Sequence, residues 1–314
     1  MDVPTGESSQ AAVKEKKRHS LLVDLFIRLV KEKPLGTVGG VIVLLVLFAG
    51  IFADVLAPYG YKELDMVNRL SAPSAGHLLG CDHLGRDLLS RIIYGARISM
   101  YVGFGATILG TSVSVTIGII SGFLGGKLDI ITQRFVDAWM CFPTIFIVLT
   151  VMSILGAGLW QVIVVIGVQR GITQSRVIRS AVIGIKENLY MEASRAIGVP
   201  TTRILTRHVL PNIMPVIIIA FTVHIGAAIL LEATISFLGF GIPPPTPSWG
   251  GMLSGAGRRY MLAAPWLAFW PGLALASVVY GMNMLGDAVR DILDPRLRGG
   301  LGRYGGVKQK VAKG

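Results

Sequence analysis

The sequence predicts an all-α integral membrane protein with six transmembrane helices. Of its 314 residues, 52% are apolar and only 15% are charged, where an ordinary soluble domain carries about 25% charged residues. Mean hydropathy is +0.63. Five apolar runs reach the ~20 residues that cross a ~30 Å hydrocarbon core, and a sixth does so only by carrying polar residues with it. This composition argues against a water-soluble enzyme and against a disordered chain.

Residues 1–34 are polar and basic, and are expected in the cytoplasm. The run 35–57 is longer than a signal-peptide core of about 7–15 residues and begins too late, so it reads as an uncleaved first transmembrane helix. Residues 58–97 are expected as an extracytoplasmic loop. Within it Leu84, Leu88, Leu89, Ile92 and Ile93 recur at helical spacing opposite Arg86, Asp87, Ser90 and Arg91, the pattern of a helix lying in the outer interface. Residues 98–290 hold five further helices, over 98–124, 135–155, 159–179, 211–240 and 266–285, with a cytoplasmic loop at 186–210. A basic cytoplasmic tail, 291–314, follows.

The basic residues set the orientation. With both termini inside, the inner segments carry 23 of the 30 Lys and Arg and the outer segments carry 7, the asymmetry expected when basic residues stay on the cytoplasmic side. The net charge of +12 therefore speaks for a lipid bilayer as partner and not for nucleic acid. Cys81 and Cys141 are the two cysteines, which indicates neither a disulfide framework nor a metal cluster. His77 and His83 lack a metal-ligand spacing and read as polar surface, while Asp82 and Asp87 read as salt-bridge partners of Arg86 and Arg91.

Span 159–179 is purely apolar only as far as Val168. To cross, it must carry Gln169, Arg170 and Gln174 to membrane depth, where polar side chains are expensive facing lipid and are expected toward a water-filled cavity. The alternatives are a re-entrant segment or a tilted helix whose Arg170 reaches the inner interface. His224 and Glu232 lie inside the fifth span, eight positions and about 80° apart on an ideal helix. With Gln169, Arg170 and Gln174 they are the candidate pathway residues. Gly118, Gly122 and Gly126 place small residues on one face of the second span, and Pro143, Pro215 and Pro271 are expected to kink or break helices.

The cytoplasmic loop is the most specific feature. Leu189, Glu192, Ala193 and Ala196 suit a short helix, which Gly198 ends and Pro200 cannot continue. A second short helix, from Thr201, leads to Pro211. Glu192-Ala193-Ser194 followed by Gly198 and Leu210-Pro211 resembles the EAA loop of permease subunits in binding-protein-dependent ABC importers. Ser194 stands where a second alanine is usual. Leu79 to Ser99, with Cys81 in place of the usual threonine, is similar to the dipeptide/oligopeptide permease family. So are Ser236 to Gly241, Pro243 to Gly250 and Gly286 to Pro295, the last with Ala288 in place of a glycine. Together these stretches resemble the C-type subunit over about residues 21–298.

The resemblance implies a type I ABC importer permease fold with a cytoplasmic coupling-helix loop. It implies that Leu189, Glu192, Ala193, Ser194, Arg195 and Gly198 couple the chain to one or two ABC ATPase subunits holding ATP and Mg. A second, B-type permease and an extracytoplasmic substrate-binding protein complete the assembly, with Trp249, Arg258 and Arg259 as candidate contacts for the latter. The substrates implied are di- or oligopeptides, with nickel chelates, glutathione or oligosaccharides as alternatives. No G-x-x-x-x-G-K-[ST] phosphate loop and no nucleophile elbow occur, so the chain is expected to have no catalytic residue, bound cofactor or metal. An ion-coupled secondary transporter would need acidic coupling residues and an inverted repeat, neither of which stands out.

Overall fold

The computed structural model describes residues 28–293, and the basic stretches at 1–27 and 294–314 lie outside them. The described residues are helices and loops, with one isolated β-bridge between Cys81 and Asp87. Helix α1 (Pro34–Ile51) opens on a proline, whose missing N–H has no partner in a first turn anyway. Helix α2 (Leu88–Leu124) runs unbroken for 37 residues. Asp87 caps it by accepting from the Ser90 N–H at 2.8 Å, and Gly125, at φ +69°, ends it.

No separate interfacial helix precedes α2. Residues 69–87, Leu84 among them, form a loop after a single 3-10 turn at Met66–Asn68, and the apolar spacing at Leu88–Ile93 belongs to the first turns of the spanning helix itself. The run read as a third span is also two elements. Helices α3 (Gly126–Met140) and α4 (Thr144–Leu155) meet at 90°. Between them lies Pro143, which has no N–H for the ladder and disfavours helical backbone at Phe142.

Helix α5 (Leu159–Lys186) is followed by the short α6 (Leu189–Ala196). Helices α7 (Thr201–Ile204) and α8 (Leu210–Phe237) join through a π-turn at Leu205–Val209, so the expected second short helix is continuous with the fifth span. A proline-rich loop, α9 (Trp249–Met252), a second π-turn at Leu253–Gly257 and α10 (Trp266–Leu293) complete the bundle. Among the described residues, four helices are long and apolar enough to cross a membrane, and the bent α3–α4 pair makes a fifth if it is one span. The expected sixth, α5, has the length but turns its polar residues to neighbouring helices.

Two packing modes hold this arrangement. Lipid tails are as apolar as leucine, so close backbone approach must hold helices together where burial from water cannot. Along α2 and α5, Gly110 lies against the Gly167 carbonyl, Gly118 against Ile178 and the Ser175 carbonyl, and Gly171 against Val113 and the Gly110 carbonyl. Polar pairs do the rest. Asp129 on α3 takes a two-pronged bond from Arg179 on α5, at 2.6 and 2.5 Å. Arg176 meets Asp137 at 2.7 Å.

A Cβ at Gly171 would lie 2.6 Å from the Val113 Cβ, whereas one at Gly184, further along α5, meets nothing within 4 Å. Gly171→Val is expected to lower stability by about 1–3 kcal/mol, the usual effect of overpacking. Gly184→Ala should leave it unchanged. A thermal ramp read by size-exclusion chromatography of the detergent-solubilised protein compares the two.

Candidate functional site

Functional candidates gather at both ends of α2, separated by 37 residues, about 55 Å at 1.5 Å per residue. At the C-terminal end stands an elbow made of α6, the turn at Gly198 and α7. Met191 on α6 is fully buried and packs with Phe123, Ile204, Val209 and Ile213, while Arg195, one turn on, lies with its guanidinium 5.2 Å from the Phe123 ring centroid. Met191 and Arg195 thus clamp one side of α6 to the bundle. Leu189, Ala193 and Ile197 follow at four-residue intervals on the other side, all exposed, with Leu189 at 82% and Ile197 at 79%. Glu192 is exposed beside them, and Ser194 spends its hydroxyl on the Tyr190 carbonyl at 2.7 Å. Gly198 has φ +73°, a backbone state open to glycine without steric cost. Sequence reasoning missed Ile197; its spacing of four from Ala193 was the available signal.

Inside the bundle, Arg170, Gln174 and His224 line one cavity together with Thr107, Thr111 and Ser114. Its volume is about 10 Å³, room for roughly one water. Arg170 reaches His224 Nδ1 and the Ala227 carbonyl, both at 3.4 Å, and its Nε is buried without a partner. Gln169 is elsewhere, donating to Thr144 Oγ1 at 2.9 Å and so joining α5 to α4. Glu232 also stands apart. It is fully buried, accepts from Ser236 Oγ at 2.7 Å, and leaves its Oε2 unpaired. The 80° between His224 and Glu232 on the helix wheel does not bring them together, because eight residues also separate them by about 12 Å along the axis.

At the N-terminal end of α2, Asp82 anchors a buried charge cluster. Its Oδ1 accepts from the Leu84 and Arg86 N–H groups, and its Oδ2 from Arg86 Nε at 2.7 Å. Arg91 Nε lies 3.7 Å from the same Oδ2, while its Nη1 donates to the Tyr61 carbonyl at 3.0 Å and the Pro245 carbonyl at 3.3 Å. Both arginines therefore use Asp82. Asp87 instead caps α2 and meets the buried His77 at 3.0 Å, which corrects the reading of His77 as surface. Burial holds the His83 ring below the usual histidine range, so it is neutral at pH 7.

Trp249 also departs from expectation. It is 1% exposed, its indole N–H donates to the Ile92 carbonyl at 3.1 Å, and its ring fills the slot left by Gly95. It is a core residue and offers no surface to a binding protein; Arg258 and Arg259, nearby, are exposed. The loop residues around it and the charge cluster line an open pocket of about 650 Å³, called the chamber below. Replacing Asp82 would strand two buried cations. Asp82→Asn is expected to destabilise the fold by about 3–5 kcal/mol, the scale for breaking one partner out of a buried ion pair, as an early loss of the monodisperse peak on heating.

Known proteins align with this arrangement along most of the chain. Residues 114–299 match the family described as binding-protein-dependent transport system inner membrane component, and residues 20–73 match the N-terminal TM domain of oligopeptide transport permease C. The dipeptide transport system permease protein DppC of Alkalihalophilus pseudofirmus is 39% identical over 272 residues, 85% of this chain and 88% of that protein. The oligopeptide transport system permease protein OppC of Bacillus subtilis is 37% identical over 283 residues, 90% and 92% of the two chains. The glutathione transport system permease protein GsiD of Pectobacterium atrosepticum is 36% identical over 276 residues, 87% and 91%. Among solved structures, an inward-facing MetNI methionine ABC transporter chain shares the fold, with TM-score 0.55 and 19% identity, over 65% of this chain and 96% of that one. The chain is therefore a permease subunit of the ABC importer class and belongs to the binding-protein-dependent transport system inner membrane component family, alongside the C-type dipeptide and oligopeptide permeases.

Proposed function

We propose that this subunit pairs with a homologous B-type permease to form the pathway for di- and oligopeptides, delivered by an extracytoplasmic binding protein. ATP is bound with Mg and hydrolysed on one or two separate ATPase subunits, and both termini and the elbow face the cytoplasm. The observation that carries this reading is the α6 surface: Leu189, Ala193 and Ile197 exposed in a row with Glu192 beside them, on a helix clamped from behind by Met191 and Arg195. An apolar row with one charge at its edge is the surface of a helix that seats in a groove. Gly198 and Ser194 shape the elbow, and Arg195 acts by holding it to Phe123. The excess of basic residues on the same side supports the orientation, and the peptide-named relatives support the cargo.

ATP can drive transport only by binding two states of the assembly unequally, and a rigid elbow is what turns ATPase closure into helix movement. Arg170, Gln174 and His224 are the pathway residues in this reading, opening from a cavity that now holds about one water. Arg258 and Arg259 lie on the side that meets the binding protein. Glu192→Lys and Gly198→Pro are each expected to weaken co-purification with the ATPase subunits by about tenfold, the loss of one good interfacial contact of ~1.4 kcal/mol. Peptide-stimulated ATP hydrolysis in proteoliposomes should fall with it. Undiminished ATPase capture by both variants would remove the coupling role of the elbow.

A further inference from the structure

The charge cluster, the proline-rich loop and the π-turn at Leu253–Gly257 all line the 650 Å³ chamber, a volume within the ~300–1,000 Å³ of small-molecule sites. Its lining carries three cations, Arg86, Arg91 and Arg259, against a single acid, Asp82. That acid is saturated by the Leu84 and Arg86 N–H groups and the two guanidinium Nε atoms. The terminal nitrogens of Arg86 have no hydrogen-bond partner among the described residues, and Arg259 makes only a ring contact, 5.8 Å from the Tyr260 centroid. His83 stacks on the same tyrosine and leaves its buried Nδ1 without a partner. Unspent donors and surplus positive charge thus face one concave space that is open to solvent on the Arg259 side. Leu88, Met252 and Leu267 supply an apolar wall to the same chamber. A guanidinium fork binds a carboxylate with two parallel hydrogen bonds.

We infer that this chamber binds the free C-terminal carboxylate of a short peptide, with Arg259 and the fork of Arg86 as donors and the apolar wall receiving the side chain. The inference rests on the peptide-import reading above and gives the cargo a station within this subunit, at the end of α2 away from the elbow. Arg259 carries the test, because it is exposed and takes part in no ion pair that holds the fold.

The assembled permease–ATPase complex in nanodiscs, without binding protein, would be titrated with alanyl-phenylalanine and with its C-terminal amide. The wild type is expected to prefer the free acid by about tenfold, as for the loss of one charge-assisted contact. Arg259→Gln should abolish the preference and Arg259→Lys restore part of it. A photoreactive alanyl-benzoylphenylalanine should label residues within 82–91 or 254–260. Equal binding of acid and amide by the wild type, an unchanged preference in Arg259→Gln, or labelling confined to other segments would each overturn the site. Uptake assays with binding protein and ATP separate the two readings. Normal peptide import without an acid preference sinks the chamber alone, whereas a preference for the acid in a complex that imports no peptide sinks the transport reading and leaves the carboxylate site standing.

Discussion

Close contact between the backbones of α2 and α5 constrains everything else in the bundle. In a bilayer, apolar side chains gain little by leaving lipid for protein, so helices stay together through dense contact and internal polar bonds. Gly110, Gly118, Gly167 and Gly171 remove the side chains that would hold these helices apart. The resulting seam fixes where Arg170 and Gln174 sit. It also fixes α3, which is tied to α5 through the Asp129–Arg179 and Asp137–Arg176 pairs. Helix α8 then packs across α2, with Ile225 and Ile229 against Gly103.

The polar interior follows the same economy. Gln169 is matched by a threonine hydroxyl and Glu232 by a serine hydroxyl, and the two arginines at the head of α2 share one carboxylate. Glu232 keeps one oxygen unpaired, and Arg170 has only a histidine and a carbonyl, both at 3.4 Å, with no acid within ion-pair distance among the described residues. A cation so placed costs free energy, and Thr107, Thr111 and Ser114 line the same small cavity beside it.

What was legible in the sequence was local. The α6 helix, its Gly198 stop and the apolar lengths of the spans are read from neighbours a few residues apart, and the periodicities that specify them act over one or two turns. Trp249 was misread because a proline-rich loop has the composition of solvated surface, while the slot that buries it is made by Gly95 on a distant helix. The 90° break at Pro143 was signalled by the proline, but an apolar run over both halves masked it. The chamber had no local signature at all, since its lining is assembled from residues within 82–91 and 236–267 together with Ala157.

The clamp formed by Met191 and Arg195 on Phe123 bears on how force travels. Phe123 sits at the very end of α2, and Met191 also packs with Val209 and Ile213 around the π-turn that leads into α8. Any load applied to the elbow is therefore shared between two long rods at once. Those rods converge again around the opposite mouth, where Leu88, Arg91 and Ser236 belong to the wall. A nudge of an ångström or two at one extremity would be delivered to the other as relative sliding or rotation of the pair, with no separate hinge required.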